Sequence, residues 1–303
     1  MANVIKKNIL NGKEVSEELD KEYIKKINIL KKINIVPCVV VILVGNKQES
    51  ITYISMKKKK CDKLGIGILI LKMDNTIEEY DILNQIAIFN NDNTIHGIIV
   101  QLPLPEHINK TNILSSINPL KDIDGFHYSN MGKLALDINP IFKPCTPEGC
   151  IKLLDYYNIE LKGKDIVVIG KSNIVGLPLS LMLLNREATV TVCHIHTKNI
   201  KNKVKSADIL FVACGVPKMV KKEWLKEGVI VVDIGINKIE DTTKKNGYRL
   251  VGDVDFENCK SKCKYITPVP NGIGPMTVSI LMKHIIDSCY NLNLKNIKKL
   301  KLK

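Results

Sequence analysis

Twice in this chain an unbroken run of mostly β-branched residues ends on a glycine with a helical pattern behind it, at residues 37–44 before Gly45 and at residues 165–169 before Gly170. Strict alternation would describe a strand with one wet face; a continuous run describes a strand covered on both faces, as in a parallel sheet flanked by helices. The segments around the first run fit that geometry. Residues 15–32 read as a charged leading helix, 50–63 and 77–90 as crossover helices, and 67–71 and 97–101 as further strands, the last closed by Leu102-Pro103-Leu104-Pro105. The result is a βαβαβ unit with right-handed crossovers. The pattern then restarts. Thr146 stands where it can cap a helix, with Pro147 at its first position and Glu148 in its first turn, running to about residue 158. Strands over 165–169, 188–193, 209–214 and 229–234, with a helix over 177–185, make a second α/β unit. A last helix over 277–290 is expected to pack back on the first unit, and the Lys- and Asn-rich final dozen residues are expected to fray. Because 303 residues exceed what one hydrophobic core organises, the pattern predicts two α/β domains: residues 1–148 with 276–303, and residues 149–275.

Forty-five basic against 31 acidic side chains leave a net charge of +14, a balance open to nucleic acid, anionic membranes or acidic small molecules. The make-up of that charge points away from nucleic acid. Only Arg186 and Arg249 are arginine, whereas base readout and bidentate phosphate clamps favour arginine over lysine. A solvated, lysine-rich surface is the plainer account. No membrane partner is expected, because no uncharged stretch reaches the roughly 20 residues a span requires. The start lacks a signal-peptide apolar core, so a cytoplasmic location is expected; its basic, acid-poor first 13 residues leave organellar import open. Nine cysteines without a Cys-x-x-Cys pair suit a reducing compartment, and Cys259 and Cys263, four apart, have no nearby histidine to complete a compact zinc motif. No metal is expected.

In the second unit, residues 165–176 read as strand, Gly-rich turn and helix start, Asp-Ile-Val-Val-Ile-Gly170 followed by Lys171-Ser172-Asn173-Ile174-Val175-Gly176. Such a turn aims backbone N–H groups and a positive helix end at an anion. The spacing departs from Gly-x-Gly-x-x-Gly, since Ser172 holds the middle position, and it is not a nucleoside-triphosphate loop, since Asp165 stands where that motif needs glycine. A tight turn without a ligand is the alternative. At the end of the next strand, where an acidic residue would select NAD, the chain reads His194-Ile195-His196-Thr197-Lys198, so NADP is favoured over NAD. The His-x-His pair could instead ligate a metal, but no carboxylate or thiol partner stands nearby.

In the first unit, Tyr53 and Lys57 are four apart and share a helix face. A lysine in a partly closed site beside further cations can serve as base or proton donor; on a wet helix the run Lys57–Lys60 is only a solvated face. Gln101 ends a strand, and Lys121-Asp122-Ile123-Asp124-Gly125-Phe126 sets two carboxylates on a turn; both lie where α/β sheets bind ligands. An amide beside Lys57 could orient it, and Asp124 could pin the adjacent N–H donors of a pteridine or guanine.

Taken together with Val100-Gln-Leu-Pro-Leu-Pro105, Pro144-Cys-Thr-Pro147, Val232-Asp-Ile-Gly-Ile-Asn237, Gly252-Asp-Val-Asp255, Thr267-Pro-Val-Pro270 and Gly274-Pro-Met-Thr277, these stretches resemble the bifunctional methylenetetrahydrofolate dehydrogenase/methenyltetrahydrofolate cyclohydrolase family, in order over nearly the whole chain. The resemblance implies two α/β domains around a cleft, the first catalytic and folate-binding, the second a Rossmann-like NADP-binding domain, with the C-terminal helix returning to the first. It implies oxidation of 5,10-methylenetetrahydrofolate with NADP, then hydrolysis of the methenyl cation to 10-formyltetrahydrofolate, in a homodimer acting on folate with or without a polyglutamate tail. Lys57, Gln101 and Asp124 would be catalytic. Tyr53, Leu102, Pro103, Pro270 and Gly274 would join them in binding substrate. Gly170, Lys171, Ser172, Ile174, Gly176, His194, His196, Thr197, Cys214, Gly215, Ile236 and Thr277 would bind the cofactor. The alternative the resemblance leaves is a dehydrogenase with weak or lost cyclohydrolase activity.

Four positions depart from the family pattern. Lys171 replaces a common arginine and His196 a usual lysine or arginine, which lowers the permanent charge facing the extra phosphate and makes NADP preference sensitive to pH. Asn271 replaces a glycine, and asparagine tolerates a left-handed backbone. Glu49 replaces alanine ahead of Lys57; facing the site, it would raise the lysine's pKa and weaken hydrolysis.

Overall fold

The computed structural model describes residues 8–244, 247–294 and 297. They form two compact units, one made of Glu18–Cys145 and the chain from Val278 onward, the other of the chain up to Glu17 and Thr146–Thr277.

The first unit is built on three parallel strands in the order β2-β1-β3: β1 Cys38–Val44, β2 Gly67–Met73 and β3 Gly97–Val100. Strand β1 is central and buried from Val39 onward, which is why its sequence does not alternate. Strand β2 lies at the edge and stays partly exposed along its length. Helix α1 (Gly12–Lys31) precedes the sheet, and helices α2 (Gln48–Leu64) and α3 (Glu79–Asn91) make the crossovers. Ile82, Ile86 and Phe89 recur on one face of α3 and pack with Val40, Ile42, Val44, Ile98 and Val100. Each isoleucine so buried contributes roughly 2 to 3 kcal/mol. Two short helices absent from the sequence reading follow, α4 (Lys110–Ser115) and α5 (Tyr128–Ala135).

The second unit holds five parallel strands in the order β10-β7-β6-β4-β5, with β4 Asp165–Ile169, β5 Thr189–Cys193, β6 Ile209–Val212, β7 Val229–Asp233 and β10 Cys263–Ile266. Helices α6 (Cys145–Tyr156), α7 (Gly176–Leu184), α8 (Ile200–Ser206) and α9 (Phe256–Cys259) accompany them, and β8 (Asn237–Glu240) pairs with β9 (Tyr248–Val251) in an antiparallel ribbon. Helix α10 (Ile273–Leu292) begins in this unit and from Val278 belongs to the first, where Ser288 Oγ donates to the carbonyls of His96 and Leu120.

Three expectations change. Residues 8–17 group with the second unit rather than with 18–148, because Ile9 bridges Ile266 in parallel and Leu10 N–H donates to the Ile266 carbonyl at 3.0 Å, covering the open edge of β10. A single bridge leaves no periodicity to read. Strand β10 itself is only four residues long and escaped the pattern. Thr146 lies inside α6 rather than capping it, and its hydroxyl meets that of Thr277 at 3.0 Å. The final dozen residues, expected to fray, lie mostly outside the described residues; α10 runs on to Leu292. Among the described residues no helix is long and apolar enough to cross a membrane.

Candidate active site

Lys57 Nζ donates to Gln101 Oε1 at 3.1 Å. Gln101 follows β3 directly: its N–H donates to the Ile42 carbonyl, and its Nε2 donates to the Leu102 carbonyl at 2.9 Å, which turns the amide oxygen toward Lys57 Nζ. Leu102 is half-buried, Pro103 is exposed after a cis peptide bond, and Tyr53, 38% exposed, stands one turn before Lys57. The helix bearing Lys57 is anchored by its neighbours in sequence. Lys60 and Lys63 lie 2.6 and 2.9 Å from the two oxygens of buried Asp20, so part of the lysine run is structural, while Lys58 pairs with Asp62 at the surface.

The two carboxylates of the 121–126 turn have separate roles. Asp122 is buried and accepts from the N–H groups of Phe126 and His127 and from Asn130 Nδ2, holding the turn together; burial pushes its carboxyl up to about 6. Asp124 is half-buried and interacts electrostatically with Lys57 and His284; burial raises its carboxyl above the ordinary value, and those two side chains pull the other way. His284 was missed by the sequence reading. It is buried on α10, its Nδ1 donates to the Ile123 carbonyl at 2.7 Å, and Cys145 Sγ lies 3.6 Å from the same nitrogen. A separation of 161 residues leaves no local signal for that contact. Glu49 is exposed in the first turn of α2, two turns and about 12 Å of helix rise from Lys57.

In the second unit β4 has β5 on one side and β6 on the other, so the order of connection reverses at its C-terminal end, where open α/β sheets bind ligands. Gly170 sits there with φ +117°, and a Cβ on it would collide with the Ala213 carbonyl. Lys171, Ser172 and Ile174 are exposed in the turn, and buried Gly176 starts α7, which no side chain caps. Beyond β5, Thr197 Oγ1 accepts the His194 N–H at 2.8 Å, and His194 Nδ1 accepts the His196 N–H at 3.3 Å; the His196 and Lys198 side chains face solvent. Cys214 and Gly215 follow β6. Ile236, 42% exposed, approaches Gly274, and Thr277 Oγ1 also donates to the Ile273 carbonyl. Pro270 is exposed beside Asn271, whose φ of +79° is the left-handed conformation expected of it. Pro270 and Gly274 belong to this unit, whereas Tyr53, Lys57, Gln101, Leu102, Pro103 and Asp124 belong to the first. A turn bounded by Gly170 and Gly176, with an uncapped helix start, at the reversal point, and histidine, threonine and lysine but no acid beyond β5, fit a dinucleotide carrying an extra phosphate. All nine cysteines are free, and among the described residues no three His, Cys, Asp or Glu side chains could hold a metal.

The tetrahydrofolate dehydrogenase/cyclohydrolase catalytic domain matches residues 10–124, and the NAD(P)-binding domain of the same description matches residues 144–293. The chain belongs to the tetrahydrofolate dehydrogenase/cyclohydrolase family. The bifunctional protein FolD of Nautilia profundicola is 46% identical over 93% of this chain and 97% of its own length. The crystal structure of the bifunctional enzyme FolD, methylenetetrahydrofolate dehydrogenase/cyclohydrolase, from Campylobacter jejuni superposes with a TM-score of 0.89 at 46% identity, covering 93% of this chain and 98% of that one. That of the Trypanosoma brucei methylenetetrahydrofolate dehydrogenase-cyclohydrolase, complexed with NADP cofactor and inhibitor, gives 0.89 at 35% identity over 93% and 97%. The Rossmann-like second unit and the α/β fold of both units agree with the sequence reading.

Proposed function

We propose that this protein oxidises 5,10-methylenetetrahydrofolate to the 5,10-methenyl cation with NADP and hydrolyses that cation to 10-formyltetrahydrofolate, with the residues named above in their expected places. The observation that carries the reading is the Lys57–Gln101 pair at 3.1 Å, with the Asp124 carboxyl in the electrostatic reach of Lys57. Bound NADP supplies the acceptor for the hydride leaving the bridging methylene carbon. The protein supplies orientation: Tyr53 stacks on the folate rings, Asp124 accepts from the pterin N–H groups, and Leu102, Pro103, Pro270 and Gly274 complete the substrate contacts. In hydrolysis water adds to the methenyl carbon, and Lys57 as the free amine takes its proton. The bond from that carbon to N5 then breaks, N5 gains a proton, and one proton is released overall. Gln101 holds the lysine nitrogen in place throughout. Gly170, Lys171, Ser172, Ile174 and Gly176 cradle the dinucleotide diphosphate, and His194, His196 and Thr197 read the extra phosphate. Cys214, Gly215, Ile236 and Thr277 line its remaining length.

On the same reading the protein is a cytoplasmic homodimer that takes folate with or without a polyglutamate tail and delivers a formyl donor for purine biosynthesis; a monomer in sedimentation would remove the dimer from it. Nothing favours a dehydrogenase lacking the second step, since Glu49 stands two turns from Lys57. The test is a time course with 5,10-methylenetetrahydrofolate and NADP, following reduced nicotinamide and the methenyl cation together. Reduction with little methenyl build-up beyond the uncatalysed control is expected, and Lys57→Ala should make methenyl accumulate. Absence of reduction with either NADP or NAD would overturn the assignment.

A further inference from the structure

The C-terminal ends of β6, β7 and β9 meet at two buried carboxylates that the reaction does not consume. Asp253 is fully buried, and its Oδ2 accepts from the N–H groups of Cys214 and Gly215, at 2.7 and 2.9 Å. Its Oδ1 accepts from Asn237 Nδ2 at 2.8 Å. Asp233, which ends β7, fixes the backbone on which Asp253 stands: its Oδ1 accepts from the N–H groups of Gly235 and Asp253, and its Oδ2 from that of Val254, all within 3.0 Å. The Asp233 N–H in turn donates to Thr267 Oγ1 at 2.7 Å, tying in the start of the loop that carries Pro270. A Cβ on Gly235 would overlap the Asp253 carboxylate, so the loop after β7 runs against that group at closest approach.

We infer that Asp253 is a positioning residue for the dehydrogenase step: its carboxylate clasps the loop after β6 to the loop after β7 and so sets Cys214, Gly215 and Ile236, the neighbour of Asn237, at the spacing that receives the dinucleotide. The inference rests on the functional reading above. Burying a carboxylate is costly, and here its donors come from loops at the ligand-binding end of the sheet rather than from the ladder within it. With the clasp removed, the N–H groups of half-buried Cys214 and of Gly215 lose this acceptor, and the two loops lose the tie that runs through it.

Asp253→Ala removes all three contacts. Asp253→Asn keeps an oxygen for Cys214 and Gly215, and its amide can donate to Asn237 once that side chain rotates. In Asp253→Ala the NADP Kd by calorimetry should rise about tenfold or more and the dehydrogenase kcat/KM should fall alike, as loss of two or three hydrogen bonds to a charged group implies. Amide exchange at residues 214 and 215 should quicken in the cofactor-free protein. Hydrolysis of supplied 5,10-methenyltetrahydrofolate, which needs no dinucleotide, should stay within about twofold, and Asp253→Asn should recover most of the loss. An unchanged Kd and exchange rate in Asp253→Ala, or hydrolysis falling in step with reduction, would overturn the clasp. Should Asp253→Ala not fold, Asn237→Ala decides: a rise in the NADP Kd of about threefold or more is expected from one lost contact, and an unchanged Kd overturns the proposal. A wild-type protein unable to reduce NADP would defeat the functional reading instead.

Discussion

Two carboxylates separated by one isoleucine look equivalent in the string Asp122-Ile-Asp124, and burial is what divides them: Asp122 spends its oxygens on the N–H groups of Phe126 and His127 and on the Asn130 side chain, and Asp124 remains in the field of Lys57. Spacing alone was enough to put Tyr53 and Lys57 on one face, because four residues make about one helical turn. It could not reveal that Gln101, 44 residues on, would supply the acceptor for Lys57, nor that His284 would hold the peptide before Asp124. The Gln101 contact carries a direct prediction. Gln101→Leu keeps the size of the side chain and removes the oxygen, so hydrolysis of methenyltetrahydrofolate should slow by about tenfold to a hundredfold, the worth of one hydrogen bond to a charged group. Steady-state hydrolysis measured at saturating substrate checks it, and an unchanged kcat would show that Lys57 is oriented by something else.

At the scale of elements, a lysine that carried no function in the sequence reading turns out to terminate a helix. Lys121 is buried, and its Nζ donates to the carbonyls of Phe89, Asn90 and Asp92 at 2.7 to 2.9 Å, satisfying the C-terminal end of α3 where a positive charge also meets the negative end of the helix dipole. Burial lowers its pKa, with the Asp92 charge acting the other way. Lys121→Met would keep the stem and leave those carbonyls without this donor. The expected cost is about 2 to 4 kcal/mol, read as a lower urea midpoint at unchanged slope. A midpoint equal to wild type would mean that water replaces the ammonium group. Strand β10 teaches the opposite lesson about legibility: four residues with Lys264 among them show no period, and pairing with β7 makes them a strand.

Stability against pH is a property of the whole molecule. His96 and His127 are both buried, and in each the Nδ1 accepts a backbone N–H, from Cys38 at 3.1 Å and from Ser129 at 3.1 Å, so each ring is neutral in the folded state. Burial lowers both pKa values. A histidine so depressed contributes fully above its unfolded value near 6.5; below it the unfolded chain takes up a proton that the folded ring refuses. Lowering the pH from about 7.5 to about 5.5 should therefore cost up to about 1 kcal/mol per ring. The double variant His96→Asn, His127→Asn, with oxygens that can accept the same N–H groups, should lose less over that interval; an equal loss in urea titrations would assign the effect elsewhere. By itself the sequence determined the two α/β units, the strand-turn-helix at Gly170, the helix face shared by Tyr53 and Lys57, and the family, because periodicity and short motifs are written locally in backbone torsion and residue spacing. Only the tertiary structure decided that Ile9 and Leu10 cover the edge of β10, which carboxylate answers Lys57, what His284 supports, and that Asp253 joins two loops. Those contacts join residues brought together by packing across tens to hundreds of positions, and a partner's burial, which sets their energies, leaves no mark on the residue it faces.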